Sequence, residues 1–313
     1  MSSDNHDKLD NPNKQYVRES HWEPCFDAIN KEIDSWKNRR RTLKYLCFPG
    51  ENLIFIKTLL KKKLINRKSF LVAIEKDEIK EINIRIALSK LFNRDNIFIY
   101  NDLFEKLIVG SDEFCNKFPF DILGMDLTKF VLKTDRGSPR APILEALENL
   151  FINQQRAINK KLVRINKFYL ILTSNMDVMA TSDDFVKYNR DKIKYLIEKI
   201  LRDFTDLLNH PYLDELVTKT TLNQNEKKLV IIISIILPII SLASNYFNIE
   251  LNDYPIYYKG RRGGKKMVGL VFLCKKRNLR VNSSVRENKL RIINMKDSIN
   301  KAKETIFLPE PES

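Results

Sequence analysis

The sequence predicts an α/β protein with a doubly wound, mostly parallel seven-stranded sheet that ends in a C-terminal antiparallel β-hairpin. Two observations carry this prediction. Apolar strands alternate with amphipathic helices through the middle of the chain, and these strands lack the polar alternation of a half-exposed sheet. Near the C-terminus, two further apolar strands flank a glycine-rich basic loop, a pattern typical of a β-hairpin.

The elements follow in a regular order. Strands are expected at 42–48, 69–74, 96–100, 120–127 and 167–173. Helices are expected at 51–65, 77–92 and 101–107, and a fourth follows the loop at 137–139 and ends near residue 159. Two longer helices are expected at 182–209 and 226–247. The hairpin strands are expected at 254–258 and 267–274.

The composition divides the chain into four parts. Residues 1–22 are short of apolar residues and show no periodicity, which predicts a disordered arm. Residues 23–41 have apolar residues at helical spacing and predict an N-terminal helix. The α/β domain is expected to span 42–276, and residues 277–313 form a charged C-terminal extension.

The charge balance favours a polyanionic partner. The chain has 55 Lys and Arg against 40 Asp and Glu, a net charge of +15 with a pI near 9.5. Nucleic acid is the expected partner, and phosphate contacts are predicted at the hairpin tip, through Arg261, Arg262, Lys265 and Lys266. The alternatives are a solvated turn at that tip and a lysine-rich composition without a binding role.

Other functional classes find little support. The four cysteines and three histidines form no ligand pattern, so no metal site is expected. The N-terminus lacks the apolar core of a signal peptide, which favours a cytoplasmic protein. Residues 229–247 carry no charge and predict a buried core helix, with a membrane span as the less favoured alternative because Pro238 interrupts a short apolar run.

The candidate site residues are those that end the parallel strands, because ligands of doubly wound sheets lie over the carboxyl ends of the strands. The first strand ends at Gly50 and Glu51, and the third at Asn101 and Asp102. The second strand ends at Glu75, about 25 residues after Gly50, where an acid accepts hydrogen bonds from ribose hydroxyls. Each acid is also a reasonable residue for a helix N-terminus.

Residues 40–276 resemble the class I S-adenosylmethionine-dependent methyltransferase fold in their order of elements, in their terminal hairpin and in the acids at strand ends. The resemblance implies S-adenosylmethionine as cofactor. Gly50 and Glu51 would then lie near its methionine part, Glu75 at the ribose, and Asn101 and Asp102 at the adenine. Asp126, at the end of the fourth strand, would face the substrate and is the candidate catalytic residue.

The chain departs from the family pattern at two places. The turn "CFPGEN" has one glycine where the family has Gly-x-Gly, and the fourth strand ends in "MDLTKF" without the Pro-Pro-Tyr set of the amino-methylating DNA enzymes. Two hypotheses therefore remain open. The chain is a methyltransferase that acts on nucleic acid, or it is a non-catalytic subunit of the same fold that binds nucleic acid or a partner protein.

Overall fold

The computed structural model describes residues 11–35, 42–50, 52–127, 130–133, 141–160, 166–176, 183–201, 210–259, 265–277 and 284–309. Its helices are α1 (Pro12–Val17), a π-helix (Arg18–Trp22), α2 (Glu23–Ser35), α3 (Ile54–Lys61), α4 (Glu78–Leu91), α5 (Phe104–Gly110), α6 (Asp112–Cys115), α7 (Pro142–Asn159), α8 (Asp183–Leu201), α9 (Pro211–Thr218), α10 (Gln224–Ala243) and α11 (Ser284–Lys303), with a 3₁₀ turn at Arg94–Asn96. Its strands are β1 (Lys44–Cys47), β2 (Phe70–Ile74), β3 (Ile97–Tyr100), β4 (Ile122–Asp126), β5 (Lys167–Asn175), β6 (Phe247–Leu251), β7 (Ile256–Lys259), β8 (Lys266–Lys276) and β9 (Ile306–Phe307).

The predicted alternation of strands and helices is confirmed, and it builds one twisted sheet. The strand order is β3-β2-β1-β4-β5-β8-β7-β9. The first five strands pair in parallel, so the chain winds outward from β1 in one direction to β3 and in the other to β5. All five strands therefore point their carboxyl ends at the same edge of the sheet, which is where a ligand site is expected.

The predicted hairpin closes the sheet. β8 runs antiparallel to β5 along its whole length and antiparallel to β7 on its other side. β8 and β7 therefore occupy the sixth and seventh positions of the sheet. Such a hairpin at these positions completes the class I methyltransferase-like fold that the order of elements predicts. The chain has this fold.

Two strands were not expected from the sequence. β6 pairs with the second half of β8, next to β7, and β9 adds a parallel strand beside β7. The predicted helix 226–247 ends early because the chain turns at Ser244, after which burial alternates along Phe247–Leu251 as in a half-exposed strand. The C-terminal extension contributes β9 to the sheet.

The N-terminal arm is partly folded, which corrects the prediction of disorder for 1–22. Residues 12–22 are helical and continue into α2, whereas 1–10 lie outside the described residues. Val17 and Trp22 are buried in the same apolar cluster as Phe26 of α2. Three apolar anchors in a polar stretch thus hold the segment on the sheet, and the Asn13 Nδ2 group donates to the Lys259 carbonyl oxygen at 3.3 Å.

The uncharged stretch after residue 228 forms a core helix, as predicted. α10 begins with a capping box at Asn223 and Glu226 and is buried along most of the length from Leu229 to Ala243. None of the described helices combines the length and apolar character needed to cross a membrane.

Candidate functional site

The predicted site residues of four strands meet at the carboxyl edge of the sheet. Gly50 follows β1, Glu75 follows β2, Asp102 follows β3 and Asp126 ends β4. Two neighbouring cavities open at this edge, and both are lined by Asp126 and by the ring of Phe48. We call them the acidic cavity, which contains Glu75 and Asp102, and the basic cavity, which contains Gly50.

The acidic cavity combines an apolar surface with four acids and two lysines, which are Glu75, Asp102, Glu105, Asp126, Lys76 and Lys80. Its volume is about 220 Å³, and Glu75 and Asp102 line it together. The apolar part of its wall is formed by Phe48, Ile74, Phe104, Leu127 and Ile143. Apolar walls with a few placed polar groups are what a nucleoside requires, because the base is buried against carbon while the hydroxyls need acceptors.

The hydrogen bonds around Glu75 show that Asp77, and not Glu75, is the N-cap of the following helix. Asp77 is the N-cap of α4 and accepts from the Lys80 amide, so the helix does not depend on Glu75 for its cap. One Glu75 oxygen accepts from the Asp77 amide at 3.0 Å. Asn101 donates its side-chain amide to the Glu75 carbonyl oxygen at 3.0 Å, which ties the ends of β2 and β3 together.

Asp102 is bound more locally. Its carboxylate accepts from the Leu103 amide at 2.7 Å, immediately before α5, and lies 3.9 Å from the Lys106 ammonium. The side chain is nevertheless on the cavity wall. Of the two residues predicted at the end of β3, Asp102 lines the cavity, whereas the side-chain amide of Asn101 is hydrogen-bonded to the Glu75 carbonyl oxygen.

The basic cavity is closed by the N-terminal helices. Its volume is also about 220 Å³, and its wall combines Gly50 and Asp126 from the sheet with Lys14, Arg18 and Trp22 from the N-terminal segment. A cation of α1 and one of the π-helix therefore face the turn that follows β1.

Asp126 is held in a charged network. Its carboxylate forms an ion pair with the Lys14 ammonium and accepts a hydrogen bond from the Thr173 hydroxyl on β5. Burial by itself would raise the pKa of Asp126, but the Lys14 charge and hydrogen bond, the Thr173 hydroxyl and the Arg18 charge outweigh it and hold that pKa below its usual value. The residue is thus a carboxylate and a weak base.

The turn after β1 is a tight entry into α3. The Leu53 amide donates to the Gly50 carbonyl oxygen at 2.9 Å, and Leu53 itself adopts a left-handed conformation with φ of 52°. A Cβ atom on Gly50 would meet no protein atom within 4 Å, so packing within the protein does not require glycine there. Glu51, predicted beside it, lies outside the described residues.

Lys14, Arg18 and Trp22 were missed by sequence reasoning. The arm that carries them is polar, and polarity without a clear period was interpreted as disorder. The available signal was the spacing of Val17, Trp22 and Phe26, which is close to helical and continues into α2. No local feature of the sequence indicates that this segment reaches over β1 and β4.

The predicted nucleic-acid contacts fall partly outside the described residues. Arg261 and Arg262 lie there, whereas Lys265 is exposed just before β8 and Lys266 begins that strand. This end of the hairpin lies at the carboxyl edge, because Met267 is opposite Asn175 at the end of β5. Burial and, to a smaller extent, repulsion from Lys266 lower the pKa of Lys228 on α10, so these two ammonium groups are close enough to interact.

A larger cavity lies elsewhere, between α8 and α9. It measures about 610 Å³ and contains none of the predicted residues. Three of its charged side chains have partners within the chain: Arg190 donates to the Val217 carbonyl oxygen at 3.0 Å, and Lys227 lies 2.6 Å from Asp183. In the part of the chain that the structure describes, no group of three or more His, Cys, Asp or Glu side chains is arranged to hold a metal ion.

Comparison with known proteins found neither a matching family model nor a matching curated protein. Solved structures do match. An O-methyltransferase from a Brevibacillus brevis multienzyme, in complex with S-adenosyl-L-homocysteine, is 14% identical over 85% of this chain and 74% of its own, with a TM-score of 0.32. The plantazolicin methyltransferase BpumL is 10% identical over 84% of this chain and 89% of its own, with a TM-score of 0.36.

A protein described as a hemolysin, from Streptococcus thermophilus, is 6% identical over 88% of this chain and 74% of its own, with a TM-score of 0.36. Likenesses this weak do not identify an activity. The fold assignment rests on the strand order and on the antiparallel hairpin of this chain, and any functional conclusion rests on the two cavities.

Proposed function

We propose that this chain is a divergent methyltransferase-like protein that binds S-adenosylmethionine at the carboxyl edge of its sheet and acts on or binds nucleic acid. The observation that carries the proposal is the acidic cavity. Glu75 and Asp102 come from different strands, yet they line one cavity with apolar walls, and Asp126 lies at its junction with the basic cavity.

The side chains fit the parts of the cofactor. Glu75 would accept hydrogen bonds from the ribose hydroxyls, Asp102 would accept from the adenine amino group, and Phe48 would separate the nucleoside from the amino-acid end. The bound cofactor would supply an electrophilic methyl group. Asp126, as a weak base, would orient the acceptor through a hydrogen bond rather than remove a proton from it, since methyl transfer depends chiefly on in-line positioning.

Nucleic acid as the partner is supported by charge. The chain carries a net charge of +15, and exposed cations lie at both edges of the sheet. Lys265 and Lys266 lie at the carboxyl edge, on the same side as the two cavities. At the amino edge, Arg67 and Lys68 precede β2, and Arg94 precedes β3.

A second candidate function is that of a non-catalytic subunit with the same fold, which binds nucleic acid or a partner protein. The ion pair between Lys14 and Asp126 favours it, because the residue expected to face the substrate is already engaged by the chain itself. The two functions differ in one measurable property, which is binding of the cofactor.

The experiment is calorimetric titration of the purified protein with S-adenosylhomocysteine. We expect binding, and we expect Glu75→Gln to weaken it by about tenfold, since a charged acceptor of a hydrogen bond is lost. Glu78→Gln is the matched control, because Glu78 is exposed in the first turn of α4 and lies outside the cavity wall.

Absence of binding by the folded protein would refute the cofactor proposal and leave the non-catalytic function. Binding that Glu75→Gln and Glu78→Gln affect equally would show that the ligand lies elsewhere.

A further inference from the structure

We propose that the N-terminal segment builds an oxyanion subsite in the basic cavity, in which Trp22, Arg18 and Lys14 bind the carboxylate at the amino-acid end of the cofactor. This inference rests on the proposed function, and it concerns residues that the sequence pattern of the family did not single out. Three features of the segment carry it.

The first feature is an unused donor. Trp22 is 6% exposed, and its indole packs edge to face on Phe55, with the ring centroids 5.1 Å apart. The Nε1 group of this indole is buried and has no hydrogen-bond partner. Trp22 also lines the basic cavity. Most buried N–H groups of folded proteins have an acceptor, so this donor is available to an acceptor that enters the cavity.

The second feature is the charge of the cavity wall. Among its described residues, Lys14 and Arg18 are cationic and Asp126 is the single carboxylate. Arg18 is 9% exposed, and its guanidinium lies 5.6 Å from the centre of the Phe55 ring. Two cations in a half-enclosed site with one carboxylate favour the entry of a second compact anion.

The third feature is the backbone that presents these groups. Arg18–Trp22 forms a π-helix between two α-helices, and Arg18, His21 and Trp22 on this one turn are all buried. The wide π turn directs polar side chains inward, whereas a regular surface helix would leave them in solvent. Short π segments occur frequently at functional sites.

The position of the basic cavity beside the acidic cavity indicates which anion it binds. The basic and the acidic cavities are neighbours that share Phe48 and Asp126. A ligand with a nucleoside at one end and an amino acid at the other can occupy both, and its carboxylate then lies among the cations. A phosphate of the substrate has similar chemistry, so the experiment must separate the two sources.

The test compares two ligands that differ only at the amino-acid end. S-Adenosylhomocysteine carries the carboxylate, whereas 5′-methylthioadenosine has the same nucleoside without it. The two variants are Trp22→Phe, which keeps an aromatic ring but removes the N–H donor, and Arg18→Gln. We expect each to lower the affinity for S-adenosylhomocysteine by about tenfold and to change the affinity for 5′-methylthioadenosine by less than about twofold. Lys31→Gln, an exposed change on α2, is the control and should alter neither.

Equal losses for both ligands, or unchanged affinity for S-adenosylhomocysteine, would overturn the subsite. Melting curves of the variants identify any that fail to fold, and Trp22→Phe is the conservative change of the pair.

A second measurement tests the subsite even if neither nucleoside binds, an outcome that would refute the proposed cofactor site. The chain has two tryptophans, so Trp36→Phe leaves Trp22 as the single tryptophan, which can be excited selectively over the tyrosines. We expect L-methionine to change this fluorescence, and the change to be lost in Arg18→Gln. No response to L-methionine, or a tighter response to inorganic phosphate, would overturn the assignment to a carboxylate.

Discussion

Asp126 illustrates how a single residue acquires its chemistry from three distant segments. The carboxylate ends β4, its ion-pair partner Lys14 comes from α1, and its hydroxyl donor Thr173 comes from β5. Each contact stabilises the ionised form, so the pKa of Asp126 stays low although burial opposes this. A free strand-end acid at this position would be a stronger base and a less fixed one.

Gly124 on β4 has no room for a side chain. A Cβ atom there would lie 2.9 Å from the ring and the hydroxyl of Tyr45, which is buried on the adjacent strand β1. We expect Gly124→Ala to lower the free energy of unfolding by about 1–3 kcal/mol, since the buried ring must be displaced. Urea denaturation measures this change.

Gly110→Ala is the matched control, because a Cβ atom at Gly110 at the end of α5 would meet nothing within 4 Å. It should leave stability unchanged or raise it by about 0.4–1 kcal/mol. Equal effects of the two substitutions would contradict the packing argument.

At the scale of elements, the N-terminal helices and the sheet form one unit. The π-helix buries His21, whose Nε2 atom lies 3.6 Å from an Asp253 oxygen. Burial lowers the pKa of His21, and the nearby Asp253 charge raises it by less, so the imidazole is neutral in the folded protein. Docking of the segment therefore requires that this buried imidazole remain unprotonated.

We expect acid to loosen this segment. Because the folded pKa of His21 lies below the unfolded value near 6.5, the unfolded chain takes up the proton more readily, and stability falls as the pH drops through and below that value. Thermal midpoints between pH 7.5 and 5.5 should decline, and the decline should be smaller in His21→Gln. The same decline in both proteins would show that other groups determine it.

For the whole molecule, the sheet separates two basic surfaces. The sequence of the hairpin tip has four cations, Arg261, Arg262, Lys265 and Lys266, and the two that the structure describes, Lys265 and Lys266, lie at the carboxyl edge. The amino-edge surface contains Arg67, Lys68, Arg94 and Lys276. Within the amino-edge surface, the loops that precede β2 and β3 are hydrogen-bonded to each other, since the Asn93 amide donates to the Arg67 carbonyl oxygen at 3.1 Å. The charge is not uniform, since Lys275 beside Lys276 is already paired with Glu250 at 2.7 Å.

The two surfaces can be compared by salt dependence. Each cation that contacts a phosphate adds about 0.9 to the slope of log affinity against log salt for duplex DNA. We expect glutamine at all four hairpin positions to flatten the slope, and glutamine at all four amino-edge positions to flatten it further if the nucleic acid extends around the sheet. Electrophoretic mobility shifts at several salt concentrations measure both.

A third variant with glutamine at the exposed positions Lys31, Lys106, Lys187 and Lys194 controls for net charge. If it flattens the slope as much as the hairpin variant does, general charge rather than a defined surface determines binding. An unchanged slope in the hairpin variant would remove the hairpin tip from the interface.

The sequence by itself determined the sheet and the row of acids along it. Strand and helix periods are local, so β1 to β5, the hairpin and the core helix α10 follow from short-range patterns, and parallel pairing then brings Glu75, Asp102 and Asp126 to one edge. β6 was missed because it is five residues long and directly follows a helix.

Only the tertiary structure decided what covers that edge. The Lys14–Asp126 pair joins residues 112 positions apart, and the burial of Arg18 and Trp22 depends on packing against Phe55. Such contacts arise from the docking of a whole segment, and the polar residues of that segment resemble those of a solvated arm until the sheet lies beneath them. The basic cavity therefore could not be predicted from local patterns, although each side chain in it is visible in the sequence.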